Sequence, residues 1–243
     1  MNYLLLVAAA LAGGYSAFLL PGLVGMRYRL ALVFSGAYLF AITITHLLPE
    51  LFHQDGLSGT ITGVLILAGF FFQQLLEYLS QGVEHGHIHI QKEGHAHRPS
   101  SAVWVLLALS LHALMEGAML TEGHTDNSTS GPLLGGILMH KIPEAFALVS
   151  VLSCELRRRE AILMLLLFSL ASPVGLWVST SLSTEGMVNG TTLQALFEFV
   201  CGSFLHISTT IVFESSADHH FNARKLAIAI LGSACALAAG LLF

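Results

Sequence analysis

Uninterrupted apolar stretches of about 20 residues recur along the whole chain, and they restrict its fold more than any other feature. In hydrocarbon every backbone N–H and C=O needs a partner, so only helices and closed barrels can span it. Barrel strands alternate over short segments, whereas these runs are long and continuous, and that selects helices. Eight runs are found, at about residues 3–23, 30–52, 58–80, 101–122, 133–153, 161–182, 192–215 and 225–242. Charged residues make up 10% of the 243, against roughly 25% in a soluble domain, so no soluble domain can be cut out. The expected fold is an all-α polytopic membrane protein, residues 1–243 forming a single transmembrane domain. Met1-Asn2-Tyr3 lacks the positive region of a signal peptide, so the first run reads as a membrane helix.

Charge orders the runs. Nine of the ten Lys and Arg fall after the first, third, fifth and seventh: Arg27, Arg29, Lys92, Arg98, Arg157, Arg158, Arg159, Arg224 and Lys225. The connections after the second, fourth and sixth have none. By the positive-inside rule the four basic connections are cytoplasmic, and an even number of spans puts both termini outside. The outer connections carry Glu122, Asp126 and Glu185, a field that favours arriving cations. The three cysteines, Cys154, Cys201 and Cys235, form neither a disulfide framework nor a CxxC site.

The fourth run contains His112-x-x-x-Glu116 and the fifth His140-x-x-Pro143-Glu144. A spacing of four puts histidine and glutamate on one face of a helix, about a turn apart. Two such helices facing each other bring two imidazoles and two carboxylates to one point. Ionisable groups are costly in a bilayer, so an intramembrane cluster of this kind is a functional hypothesis by default. Lys141, the tenth cation, lies beside His140 with Glu116 and Glu144 as its expected partners. It is either a structural ion pair or an ammonium standing where a second cation would bind. Pro143 lacks the amide hydrogen that would bond to Met139, which frees a carbonyl beside the proposed ligands. The second run repeats the pattern as His46-x-x-Pro49-Glu50, and the seventh carries Glu198 and His206, two turns apart. His46, Glu50, Glu198, His206 and Lys141 are therefore candidates for a transport path. Pro21 and Pro173 are expected to break the first and sixth runs.

The longest connection, residues 81–100, holds His85, His87, His89, His95 and His97 with Glu84 and Glu93. Such a tract can touch Zn2+-like ions weakly, or serve as a solvated or pH-responsive linker; metal contact is favoured. Asp218-His219-His220 lies on the same side.

Imidazole with carboxylate suits Zn2+, Fe2+, Mn2+, Co2+ or Ni2+, and the thiolates that would point to Cu(I) are absent from the motifs. His112, Glu116, His140 and Glu144 can supply four ligands at about 2.0–2.2 Å. With two carboxylates and Lys141, a bound divalent ion leaves the site at roughly +1. Ligands that exchange with water or carbonyls fit conduction better than a closed thiolate cage.

These residues resemble the ZIP (Zrt/Irt-like protein) family of metal transporters, over the whole chain. The specific part of the resemblance is His112-x-x-x-Glu116 with His140-x-x-Pro143-Glu144. It implies uptake of Zn2+ or related ions into the cytosol, an inverted repeat of three plus two plus three helices, and a metal held between spans four and five. Many members have a polar or acidic residue after each key histidine, which builds a second metal site. Here those positions are Ala113 and Lys141, so one intramembrane metal is expected; the lysine variant resembles one subgroup, in which the ammonium fills the second site. Some members use a glutamate in span six, where this chain has only Ser169 and Ser172 beside Pro173.

Three other readings compete. An intramembrane zinc hydrolase would need an open metal position and a general base, and no HExxH occurs. A di-iron oxidase expects Glu-x-x-His pairs, the reverse of the order here. A metal sensor without flux would want an output domain, and the connections are short. The chain is thus expected to be no enzyme, to need no catalytic cofactor, and to take Zn2+ or another divalent cation as substrate. Divalent metal ions and the lipid bilayer are its expected partners, nucleic acid is not, and a homodimer is compatible with these features. Short connections favour a bacterial inner membrane over a eukaryotic plasma or organelle membrane. In the latter, Asn127-Ser128-Thr129 and Asn189-Gly190-Thr191 would be glycosylation acceptors.

Overall fold

Every regular element among the described residues is a helix, as the continuous apolar runs require. The computed structural model describes residues 1–20, 26–54, 56–80, 100–121, 127–184, 188–214 and 223–242. The helices are α1 (Asn2–Leu19), α2 (Met26–Ile42, continued through Thr43–Leu47 and Leu48–His53), α3 (Gly59–Ser80), α4 (Ser100–Ala118), α5 (Asn127–Glu155), α6 (Arg158–Thr184), α7 (Gly190–Glu214) and α8 (Ala223–Leu242). Seven are long and apolar enough to cross a membrane; the apolar part of α4, Ala102–Ala118, is shorter. The fourth run was expected to continue to residue 122, but α4 closes at Ala118. There Leu120 N–H turns back to the Gly117 carbonyl at 3.1 Å and the Thr121 hydroxyl bonds the Ala118 carbonyl at 2.9 Å.

Pro173, expected to break the sixth run, does not interrupt its helix. Pro143 likewise lies inside a continuous α5. Packed neighbours can hold a helix on course across one lost hydrogen bond. In α2 the chain relieves Pro49 by widening the preceding turn, Thr43–Leu47, into a π-helical turn. The Thr43 and Thr45 hydroxyls bond back to the Leu39 and Ala41 carbonyls at 2.8 and 2.7 Å.

The helices form two groups of four. In one, α1 packs on α5 and α6, and α4 packs on α6; in the other, α3 packs on α7, and α2 on α7 and α8. Two buried apolar clusters tie the groups together. One joins Leu109, Phe146, Leu165 and Phe168 with Leu32 of α2 and Ile211 of α7. The other joins Leu39, Leu76, Phe197 and Phe204 with Leu6 of α1, Met115 of α4 and Ile137 of α5. The outward faces are apolar too: Val64, Leu67, Phe71, Leu75 and Tyr78 form a stripe along α3, with spacing of three and four. In water this would be an exposed patch; in a bilayer it is the solvated face.

The pairing hides a repeat. Exchanging α1, α2, α3 and α4 for α6, α7, α8 and α5 turns α1–α5 into α6–α4, and α3–α7 into α8–α2. The correspondence holds at single residues. Gly13 of α1 abuts the Ile142 carbonyl on α5, as Gly175 of α6 abuts the Leu114 carbonyl on α4; Ile142 and Leu114 each stand two positions beyond the histidine of their helix. Gly69 of α3 meets the Phe199 carbonyl on α7, and Gly232 of α8 meets that of Phe34 on α2. A Cβ at any of these positions would collide with backbone, so the small residues set how closely the helices approach. An odd offset between alternating helices reverses direction, so the repeat is inverted.

Candidate metal centre

The α4 and α5 motifs meet in the interior. A nearly all-apolar α4 carries one polar turn, from His112 to Glu116, and its imidazole Nε2 lies 3.1 Å from Glu116 Oε1. On α5 the register brings His140, Lys141 and Glu144 to face it. His112, Glu116, His140 and Glu144 each offer a ligand atom, and these four atoms lie within 4.8 Å of one another. None of the four residues is more than 1% exposed. The two imidazoles stand edge to face, centroids 6.1 Å apart. His112 Nδ1 and Glu144 Oε1 are buried with no hydrogen-bond partner, which is costly unless a cation or water completes them.

Lys141 takes both of its expected partners. Its ammonium donates to Glu144 Oε2 at 2.7 Å and also contacts Glu116 Oε2. Phe168 of α6 faces it from the other side, the ring centroid 5.0 Å from Nζ. An ammonium this deeply buried is tolerable only with such pairing. With neutral imidazoles the two carboxylates and one ammonium sum to −1, and a divalent cation would bring the site to +1. The donors are nitrogen and oxygen of intermediate softness, the set suited to first-row divalent ions.

Other sequence candidates lie elsewhere. His46 pairs its Nδ1 with Thr45 Oγ1 at 2.7 Å and sets its ring against Gly240 of α8; Glu50 follows on the last turn of α2. Glu198 and His206 find partners on α3, and Glu198 also one on its own helix. Glu198 Oε1 accepts from Thr62 at 2.8 Å and from Gln194 at 3.0 Å. His206 Nε2 lies 2.6 Å from Glu77 Oε2, its ring edge-on to Phe70. His85, His87, His89, His95, His97 and Asp218-His219-His220 lie outside the described residues.

Phe168, Thr62 and Gln194 were missed by sequence reasoning. Phe168 carried no signal, being one phenylalanine in an apolar run. For Thr62 there was one: Thr62, Ile66, Gly69, Gln73, Leu76 and Ser80 are the buried face of α3, and their spacing of three and four places Thr62 and Gln73 together.

Comparison with known proteins adds an independent line. A family profile described as ZIP Zinc transporter matches residues 77–242, which include both motifs. The chain is 33% identical over 171 residues to Zinc transporter ZIP9 of Xenopus tropicalis, covering 66% of this chain and 54% of that protein. It is 34% identical over 171 residues to Zinc transporter ZIP9-A of Xenopus laevis, with the same coverage. Zinc transporter ZIP1 of Takifugu rubripes is 30% identical over 125 residues, 51% of this chain and 41% of that protein. The chain thus spans about half the length of the curated relatives it matches.

Proposed function

This chain belongs to the ZIP zinc transporter family, and on that premise we propose that it carries divalent transition-metal ions, Zn2+ foremost, into the cytosol through a single site formed by His112, Glu116, His140 and Glu144. One observation carries the reading: four donors of the right chemistry converge within 4.8 Å in the interior of a multi-pass membrane protein. Zinc is the first ion to test because the relatives are named for it. Lys141 supports one ion rather than two, since its ammonium already bridges the carboxylates a second ion would need. Basic connections put both termini outside and the tract from His85 to His97 in the cytosol, where it would receive or sense the ion. The relatives are eukaryotic proteins, so a bacterial inner membrane rests on the short connections alone.

The decisive experiment is uptake into proteoliposomes loaded with a fluorescent chelator, with Zn2+, Fe2+, Mn2+ and Cd2+ compared in wild type and Glu144→Ala. Saturable uptake in the wild type, lost in the variant while the protein still reconstitutes, is the expected result. Tight binding without flux in the wild type would replace transport with a sensor or a hydrolase.

A further inference from the structure

The seam between α3 and α7 contains a carboxylate that the metal centre leaves unexplained. Glu198 is 0% exposed, and its polar neighbours Thr62 and Gln194 are almost as deeply buried. Both neighbours donate to the same oxygen, Oε1, at 2.8 and 3.0 Å. The other oxygen, Oε2, is buried and has no hydrogen-bond partner. No cation pairs with Glu198 among the described residues, and Cys201, three positions on, brings no positive charge. Glu198 stands two turns into α7, past the first turn in which the partial positive charge of a helix start acts. A lone carboxylate in this setting is a charge without compensation.

Two occupants would neutralise it. A proton on Oε2 would need an acceptor of its own, whereas Oε2 now takes part in no hydrogen bond. A cation has no such requirement. It would coordinate Oε2 directly and share the Thr62 hydroxyl oxygen, whose lone pairs are free while its hydrogen points to Oε1. Charge then selects the ion. One carboxylate with neutral oxygen neighbours sums to zero with a monovalent cation and to +1 with a divalent one, a costly excess in low dielectric. The ligands are all oxygen, the preference of hard cations. Gln194 Oε1 sits against Gly56, in the connection before α3, so the group lies near the N-terminal ends of α3 and α7. We infer that Glu198 and Thr62, with the Gln194 amide orienting the carboxylate through its N–H, form a second cation site, for a monovalent hard ion of the Na+ type, on a helix pair separate from the His/Glu centre.

The test uses the whole purified protein in nanodiscs, with divalent metal removed by chelator. Its unfolding midpoint is measured in sodium chloride and in choline chloride at equal concentration. Sodium should raise the wild-type midpoint saturably. The shift should vanish in Glu198→Gln, shrink in Thr62→Val and persist in His140→Ala, which lies in the other centre. Equal midpoints in the two salts, or a shift that survives Glu198→Gln, would overturn the assignment. So would an infrared band of a protonated carboxyl in wild type that disappears in Glu198→Gln, since it would put a proton where the ion is placed. Should Glu198→Gln fail to fold, radioactive sodium binding to wild type and Thr62→Val decides the matter, and absence of binding to wild type refutes the site. Because His140→Ala is expected to bind sodium normally, the outcome is independent of whether the protein transports zinc.

Discussion

Lys141 supplies, within the protein, the positive charge that two buried carboxylates demand. Replacing it by a side chain of similar length without the charge exposes that role. In Lys141→Met, Glu116 and Glu144 would face each other across a dry interior without a counter-ion. The loss of one partner of a buried pair costs on the order of 3–5 kcal/mol, so the variant should unfold at a markedly lower temperature in metal-free detergent. Zn2+ should restore more stability to it than to wild type, because a bound ion can then take over the missing charge. A variant as stable as wild type without metal would show that the ammonium is not the counter-ion. The reverse change tests the other role of the same residue. Lys141→Asp replaces the internal cation with a ligand, and the number of metal ions bound per chain, read by elemental analysis, should rise from one to two; a count that stays at one removes the lysine from the account of stoichiometry.

At the scale of elements, the helix pairs are held by glycines that bring backbone against backbone. Gly202 of α7 faces the Ile66 carbonyl on α3, and a Cβ there has no room, whereas Gly63 on α3 has nothing within 4 Å of where its Cβ would be. Gly202→Val should therefore destabilise the protein by about 1–3 kcal/mol through overpacking. Gly63→Ala should be neutral or gain up to about 1 kcal/mol from helix propensity. Comparing thermal midpoints of the two variants separates close packing from a general intolerance of change at helix glycines; equal effects would sink the packing explanation. Much of this scale was legible from the residues. Long apolar runs announced helices, and two His-x-x-x-Glu turns announced which helices would meet, because few other arrangements let those groups share a solvent. What could not be read was the response to proline and the choice of polar partners between helices. Whether Pro173 breaks a helix depends on neighbours that span it. Whether Glu198 turns towards α3 or towards the centre depends on the rotation of α7, which its own sequence leaves undetermined. Thr62 looked like one hydroxyl in an apolar run until α7 was laid against it.

At the scale of the molecule, the distribution of lysine and arginine can be checked directly. Tags at the two ends should both react with a membrane-impermeant reagent applied to the non-cytoplasmic face of intact cells or spheroplasts, and a tag between His89 and His95 should not. One reactive terminus and one protected terminus would contradict an even number of crossings. The paired geometry α1–α5 with α6–α4, and α3–α7 with α8–α2, explains why the site falls where it does: α4 and α5 are each other's counterparts, so equivalent turns face each other. That equivalence is plain in Gly13 and Gly175, each pressed against the residue two positions after the motif histidine.

The same two-fold bears on vectorial flow. Turning the protein over in the bilayer exchanges α4 with α5, and so exchanges His112 with His140 and Glu116 with Glu144. On the proposed reading an ion approaching from either face would meet equivalent donors, and the four candidate ligands carry no arrow. Within the two motifs the exchange sets Ala113 against Lys141 and Met115 against Pro143, and only the first of these mismatches is one of charge: a methyl group on one half, an ammonium on the other. Any charge asymmetry in the centre itself is written in that one side chain, while the direction of a passive flow through it would be set by the gradient alone.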